Sequence, residues 1–65
     1  MKILVNSEPV ELAEPCTLEQ LLELRGQRPG TATAVNGSFV ARAARATLFL
    51  SEGDEVEIVA PMQGG

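Results

Sequence analysis

The side chains that carry most enzymatic chemistry are missing from this 65-residue chain. It has no histidine, tyrosine or tryptophan, and one cysteine. General acid–base work near neutral pH falls most often to histidine, and no serine or threonine here has an evident base to activate it. One cysteine without histidine supplies no metal-ligand cluster. Glu52, Asp54, Glu55 and Glu57 are spaced like a solvated turn and strand rather than a cation cage. Neither G-x-x-x-x-G-K-S/T nor G-x-G-x-x-G occurs, so no phosphate cradle is expected. The chain does not read as an enzyme or as a holder of metal or cofactor.

Two reactive groups remain. Cys16 precedes Thr17, and a thiolate at a helix N-terminus is activated by the dipole, as a persulfide carrier would require. With Thr17 as N-cap, however, Cys16 and Leu21 occupy the positions of a hydrophobic staple, and cysteine behaves more often as a small apolar residue. The staple is the preferred reading.

The second group is the C-terminal carboxylate, carried on Gly64-Gly65. At about 7% glycine usage, two terminal glycines arise by chance in about 1 chain in 200. The segment Pro61-Met62-Gln63-Gly64-Gly65 is uncharged in a chain with nine acids. Pro61 withholds a donor and should end the last strand, so that five extended residues project by at most about 16–18 Å. Glycines at the tip lack Cβ, so a partner can thread them through a narrow channel and bond their backbone. A free carboxylate is a poor electrophile. Activation by ATP to a mixed anhydride with AMP removes that defect, and sulfur can then displace AMP to give a thiocarboxylate. With no ATP site of its own, the chain would be the substrate of an adenylating enzyme; the competing reading is a passive tail.

The elements that must present this terminus can be read from the pattern. Ile3-Leu4-Val5, a turn at Asn6-Ser7-Glu8, and a run with Val10 and Leu12 on one face predict a hairpin, with Pro9 suited to an edge strand. Thr17-Leu18-Glu19-Gln20 matches a capping box. A helix from Leu18 to Arg25 places Leu18, Leu21 and Leu22 on one stripe, and Gly26 ends it. Gln27 to Thr31 reads as a loop. A second hairpin is predicted from Ala32–Val35, Asn36-Gly37, and a strand with Phe39 and Val40. Ala43 to Ala46 favours a helical turn, and Thr47 to Leu50 reads as buried loop or strand. After a turn at Ser51–Asp54, Glu55-Val56-Glu57-Ile58 alternates as a last strand, extended by Val59 and Ala60. Closing that strand in parallel on the first gives an α+β, ubiquitin-like β-grasp of four to five strands with one main helix. Residues 1–60 form the domain and 61–65 the tail.

Charge narrows the partners. Nine acids against five bases give a net charge of −4, which disfavours nucleic acid and anionic membranes and suits a basic protein partner. An 18-residue apolar run is absent, as is a signal region, and the single cysteine cannot form an internal disulfide; these predict a soluble, cytoplasmic chain.

In order along the chain, Thr17-Leu18 with Leu21-Leu22, Ala34-Val35-Asn36-Gly37, Val40 with Arg42, Gly53-Asp54 before Glu55-Val56-Glu57-Ile58, and Gln63-Gly64-Gly65 resemble the ThiS sulfur carriers of thiamine biosynthesis. Ala41 stands where that family often has proline, and its usual tryptophan after Arg42 is missing. The resemblance implies that Gly65 is adenylated by a ubiquitin-activating-like enzyme using ATP and magnesium. It implies conversion to a thiocarboxylate by a cysteine-derived sulfur donor system, and delivery to thiazole synthase. Gly64, Gln63 and Met62 would give access to the terminus. Phe39, Phe49 and Met62 are candidate apolar docking residues, with Asp54, Glu55 and Glu57 as acidic ones. The phenylalanines could equally belong to the core. Alternatives are the molybdopterin synthase small subunit, whose helix tends to be longer, a carrier for tRNA thiolation, a ubiquitin-like modifier, or a binding module using its sheet face.

Overall fold

Two-residue turns set the register of both hairpins. In the computed structural model, which describes residues 1–27 and 30–60, strands β1 (Lys2–Val5) and β2 (Glu8–Glu11) pair antiparallel with Val5 opposite Glu8. Strands β3 (Ala32–Val35) and β4 (Ser38–Val40) pair with Val35 opposite Ser38. The loops are Asn6-Ser7 and Asn36-Gly37, and all four residues have positive φ: 50° and 71°, then 52° and 83°. That is the twist a right-handed hairpin requires, and it is why Asn-Gly is so common there. The first turn is tighter than its sequence implies, because Glu8 already belongs to the strand.

Between the hairpins lies helix α1 (Leu18–Arg25), with both halves of the capping box made: Thr17 Oγ1 accepts from Gln20 N at 3.1 Å, and Gln20 Oε1 accepts from Thr17 N at 2.9 Å. Gly26, at φ 65°, closes the other end. Eight residues are too few for a helix to persist alone, so its stability comes from Leu18, Leu21 and Leu22, all buried. Each contributes about 1.5–3 kcal/mol of burial.

The last strand, β5 (Glu55–Val59), lies in the centre of a five-stranded sheet ordered β2-β1-β5-β3-β4. It runs parallel to β1 and antiparallel to β3. This is the predicted β-grasp, with Pro9 on edge strand β2. The helix leucines meet Ile3, Val5, Val56 and Ile58 from the sheet, joined by Leu50 and Cys16. The strand stops at Val59, one residue short of the extension expected through Ala60. Arg28 and Pro29 of the expected loop, and the whole of 61–65, lie outside the described residues.

The segment from Ala41 to Leu50 departs most from its local signals. The expected helical turn at Ala43–Ala46 is a single 3-10 turn at Arg42–Ala44, with Ala44 N bonding Ala41 O and Arg45 N bonding Arg42 O. The rest of the segment is a strap across the start of α1. Leu18 N donates to Leu48 O, Glu19 N to Arg45 O, and Leu50 N to Cys16 O, while Phe49 bridges Thr17. Two of the N–H groups a helix start leaves open are thus satisfied by the strap. Arg45 fixes it from inside. Only 8% exposed, its Nε donates to Thr33 Oγ1 at 3.1 Å and its second terminal nitrogen to Thr31 O at 2.5 Å. Thr33 Oγ1 in turn donates to Val40 O at 2.9 Å. A longer helical turn is displaced because this inward arginine links the strap to β3.

Truncating Arg45 removes one donor from Thr33 Oγ1 and one from Thr31 O, and with them the link between the strap and β3. Arg45→Ala should lower the unfolding free energy by about 2–3 kcal/mol in urea denaturation. Arg45→Lys should recover less than half of it, because an ammonium cannot reproduce the planar fork. A loss below about 0.5 kcal/mol would contradict this role.

Candidate functional site

The functional signal of the sequence concentrates at the end of the chain, and β5 is the strand that precedes it. Even-numbered residues of β5 bury their side chains, and Glu55, Glu57 and Val59 face the opposite side. Each end of the strand is held by the first residue of a hairpin turn. At the start, Asn36 N donates to Glu55 O at 2.7 Å and Asn36 Oδ1 accepts from Glu55 N at 2.9 Å. At the far end, Asn6 N donates to Val56 O at 2.9 Å. Its side chain then takes both backbone groups of Ile58: Oδ1 accepts from Ile58 N at 2.8 Å, and Nδ2 donates to Ile58 O at 3.1 Å. Val59 pairs with Ala32, and Ala60 leads into Pro61-Met62-Gln63-Gly64-Gly65.

Of the four large apolar residues exposed among the described residues, Phe39 and Val59 lie on the sheet face away from the helix, whereas Leu24 is on α1 and Phe49 on the strap. Phe39 on β4 stands opposite Ala34, which stands opposite Glu57 on β5, so the three form one cross-strand row. Phe39 is 74% exposed and Val59 61%, both on this face. Leu4, half-buried, pairs with Glu55 beside them. A shallow depression of about 160 Å³ between the two hairpin turns is lined by Leu4, Ser7, Gly37, Glu55 and Glu57. Of the candidate docking residues, Phe39, Glu55 and Glu57 therefore share one surface.

The other candidates fall elsewhere. Phe49 is exposed but belongs to the strap beside the helix start. Neither phenylalanine is in the core. Asp54 is committed to its own turn: Oδ2 accepts from Ser51 N at 2.8 Å and Oδ1 from Asn36 Nδ2 at 3.0 Å. Met62, Gln63, Gly64 and Gly65 lie outside the described residues. Val59 escapes the sequence reading as a surface residue, although the alternation from Glu55 onward signals it. The sequence marks Asn6 only as a turn residue, and its hold on Ile58 has no local signature.

Cys16 is 5% exposed and shares the core with Leu21, as the staple requires; its Sγ donates to Thr17 O at 3.5 Å. Among the described residues no group of three or more acidic, cysteine or histidine side chains could hold a metal ion. No described helix is long and apolar enough to cross a membrane.

A five-stranded mixed sheet with one helix on its inner face, and its central last strand running out to a Gly-Gly end, defines a β-grasp protein. The ThiS family model matches residues 3–65, and the chain belongs to that family. It is similar over its whole length to the crystal structure of the thiamine biosynthesis protein ThiS from Geobacter metallireducens, with 29% identity, a TM-score of 0.86 and all of both chains covered. The solution structure of a thiamine biosynthesis protein from Geobacter metallireducens matches with 29% identity and a TM-score of 0.83, covering all of this chain and 88% of that one. No curated protein sequence matches the chain.

A core thiol should react slowly. Alkylation of native Cys16 by iodoacetamide should run about a hundredfold slower than in the urea-unfolded chain, since it must await local opening. A native rate equal to the unfolded one would contradict the staple assignment.

Proposed function

We propose that this chain is a sulfur carrier for synthesis of the thiamine thiazole, acted on by enzymes rather than acting as one. The observation that carries the reading is that the family match runs through residue 65 and so includes Gly64-Gly65. A carboxylate oxygen of Gly65 attacks the α-phosphorus of ATP in the partner's site, releasing pyrophosphate and leaving an acyl adenylate. Hydrosulfide, already released by a cysteine-derived donor, then attacks the carbonyl carbon and gives up its proton to solvent. AMP departs with the electron pair of the broken C–O bond, and a thiocarboxylate remains. ATP and magnesium belong to the adenylating enzyme.

Each property of the chain has a place in this scheme. Gly64, Gln63 and Met62 give the terminus an uncharged approach to a site holding a triphosphate. Glycine at the tip leaves the backbone open to strand-like bonding in a narrow channel. Phe39 and Val59, with Glu55 and Glu57 between the hairpin turns, form the docking face for the adenylating enzyme and for thiazole synthase. An apolar centre flanked by carboxylates suits a partner surface that is apolar with a basic rim. Two solved structures similar to this chain are of thiamine biosynthesis proteins, which favours thiazole synthesis over molybdopterin synthesis or tRNA thiolation.

Removal of Gly65 tests this reading without touching the fold. The shortened chain should unfold at the same urea concentration as the full chain and support no ATP–pyrophosphate exchange with the cognate adenylating enzyme. Undiminished exchange would refute the carrier function.

A further inference from the structure

We propose that Asn6 is a positioning residue for the carboxyl terminus, a role that rests on the carrier reading above. The basis is the way the parallel ladder between β1 and β5 ends. Leu4 N donates to Asp54 O and Asn6 N to Val56 O, each at 2.9 Å. The next step of that ladder would place residue 8 beside Ile58. The chain has by then turned at Asn6-Ser7, and Glu8 pairs back on Val5. The carboxamide of Asn6 supplies the missing peptide group, giving Ile58 one acceptor at 2.8 Å and one donor at 3.1 Å.

Ile58 has no substitute for this on its other edge. Glu55 exchanges its bonds with Asn36, on the β3 side, and alternation along the strand turns the N–H and C=O of Ile58 toward β1. Without the carboxamide, those groups have only water, and β5 is held beyond Val56 by its β3 pairing alone. The five residues that must enter a partner's site start just beyond Ala60, two residues after Ile58. Their point of departure is fixed relative to the docking face by Asn6. Loosening it adds an ordering cost that docking must offset, and such a cost weakens capture of the carrier without slowing chemistry once it is bound.

Asn36 supplies the matched control. It occupies the same position in the same kind of turn, at φ 52° against 50° for Asn6, and holds the opposite end of β5. Glycine tolerates positive φ, so Asn6→Gly and Asn36→Gly both keep the turn and remove the side-chain clamp. In ATP–pyrophosphate exchange with the cognate adenylating enzyme, Asn6→Gly should raise KM for the carrier about five- to tenfold with kcat within about twofold, the loss of about one hydrogen bond's worth of ordering. Asn36→Gly should leave both constants within about twofold at a comparable loss of urea stability. Amide exchange of Ile58 should accelerate about tenfold in Asn6→Gly alone, a readout independent of any enzyme. An unchanged KM in Asn6→Gly, or an equal rise in both variants, would overturn the positioning role and leave the carrier function standing. A wild-type chain inert with the adenylating enzyme would overturn both.

Discussion

The fold depends on hydrogen-bonding both edges of its last strand. β5 is formed from residues near the end of the chain, yet it lies between β1 and β3, with a parallel neighbour on one side and an antiparallel one on the other. A strand of five residues offers few bonds to each, and both neighbours turn away before its backbone is satisfied. The two hairpin asparagines resolve this. Their left-handed backbone makes the turn, and their carboxamides complete the ladders at opposite ends of β5. The same residue type thus meets a local demand for positive φ and a long-range demand for a donor and an acceptor.

A second pair of demands meets at the start of the helix. Four N–H groups there lack intrahelical partners, and a helix of eight residues has little stability of its own to lose. Thr17 satisfies one, and the strap satisfies two more through the carbonyls of Leu48 and Arg45. The strap is anchored in turn by the Arg45 guanidinium on Thr31 and Thr33. Helix, strap and β3 are therefore one connected hydrogen-bonded unit packed on the leucine core.

Much of this was legible in the residues. The capping box, the stripe of Leu18, Leu21 and Leu22, the Asn36-Gly37 turn and the alternation from Glu55 are local patterns, and each formed where it was expected. Arg45 was not legible, because within Ala43-Ala44-Arg45-Ala46 nothing local distinguishes an inward guanidinium from a solvated one. Its partners are 12 and 14 residues away. Asn6 was hidden for the same reason, since its partner Ile58 is 52 residues distant. The outer face of the sheet was half visible: alternation assigns Glu55, Glu57 and Val59 to one side, but only the register of β3 against β4 brings Phe39 into their row. The proposed reactive end, Gly64-Gly65 after an uncharged approach, is read from composition and position alone and lies outside the described residues.

On the carrier reading proposed above, a protein this small serves catalysis by being handled: its sheet would be the face gripped, and the carboxylate to be changed follows its last strand in the sequence. The most direct test is accurate-mass analysis of the C-terminal peptide after the full chain is incubated with its adenylating enzyme, ATP, magnesium and a cysteine-derived sulfur donor. A thiocarboxylate-specific label separates this product from oxidation at Met62. The account predicts replacement of one oxygen by one sulfur at Gly65, dependent on ATP. An unmodified Gly65, or sulfur found on Cys16 instead, would contradict it.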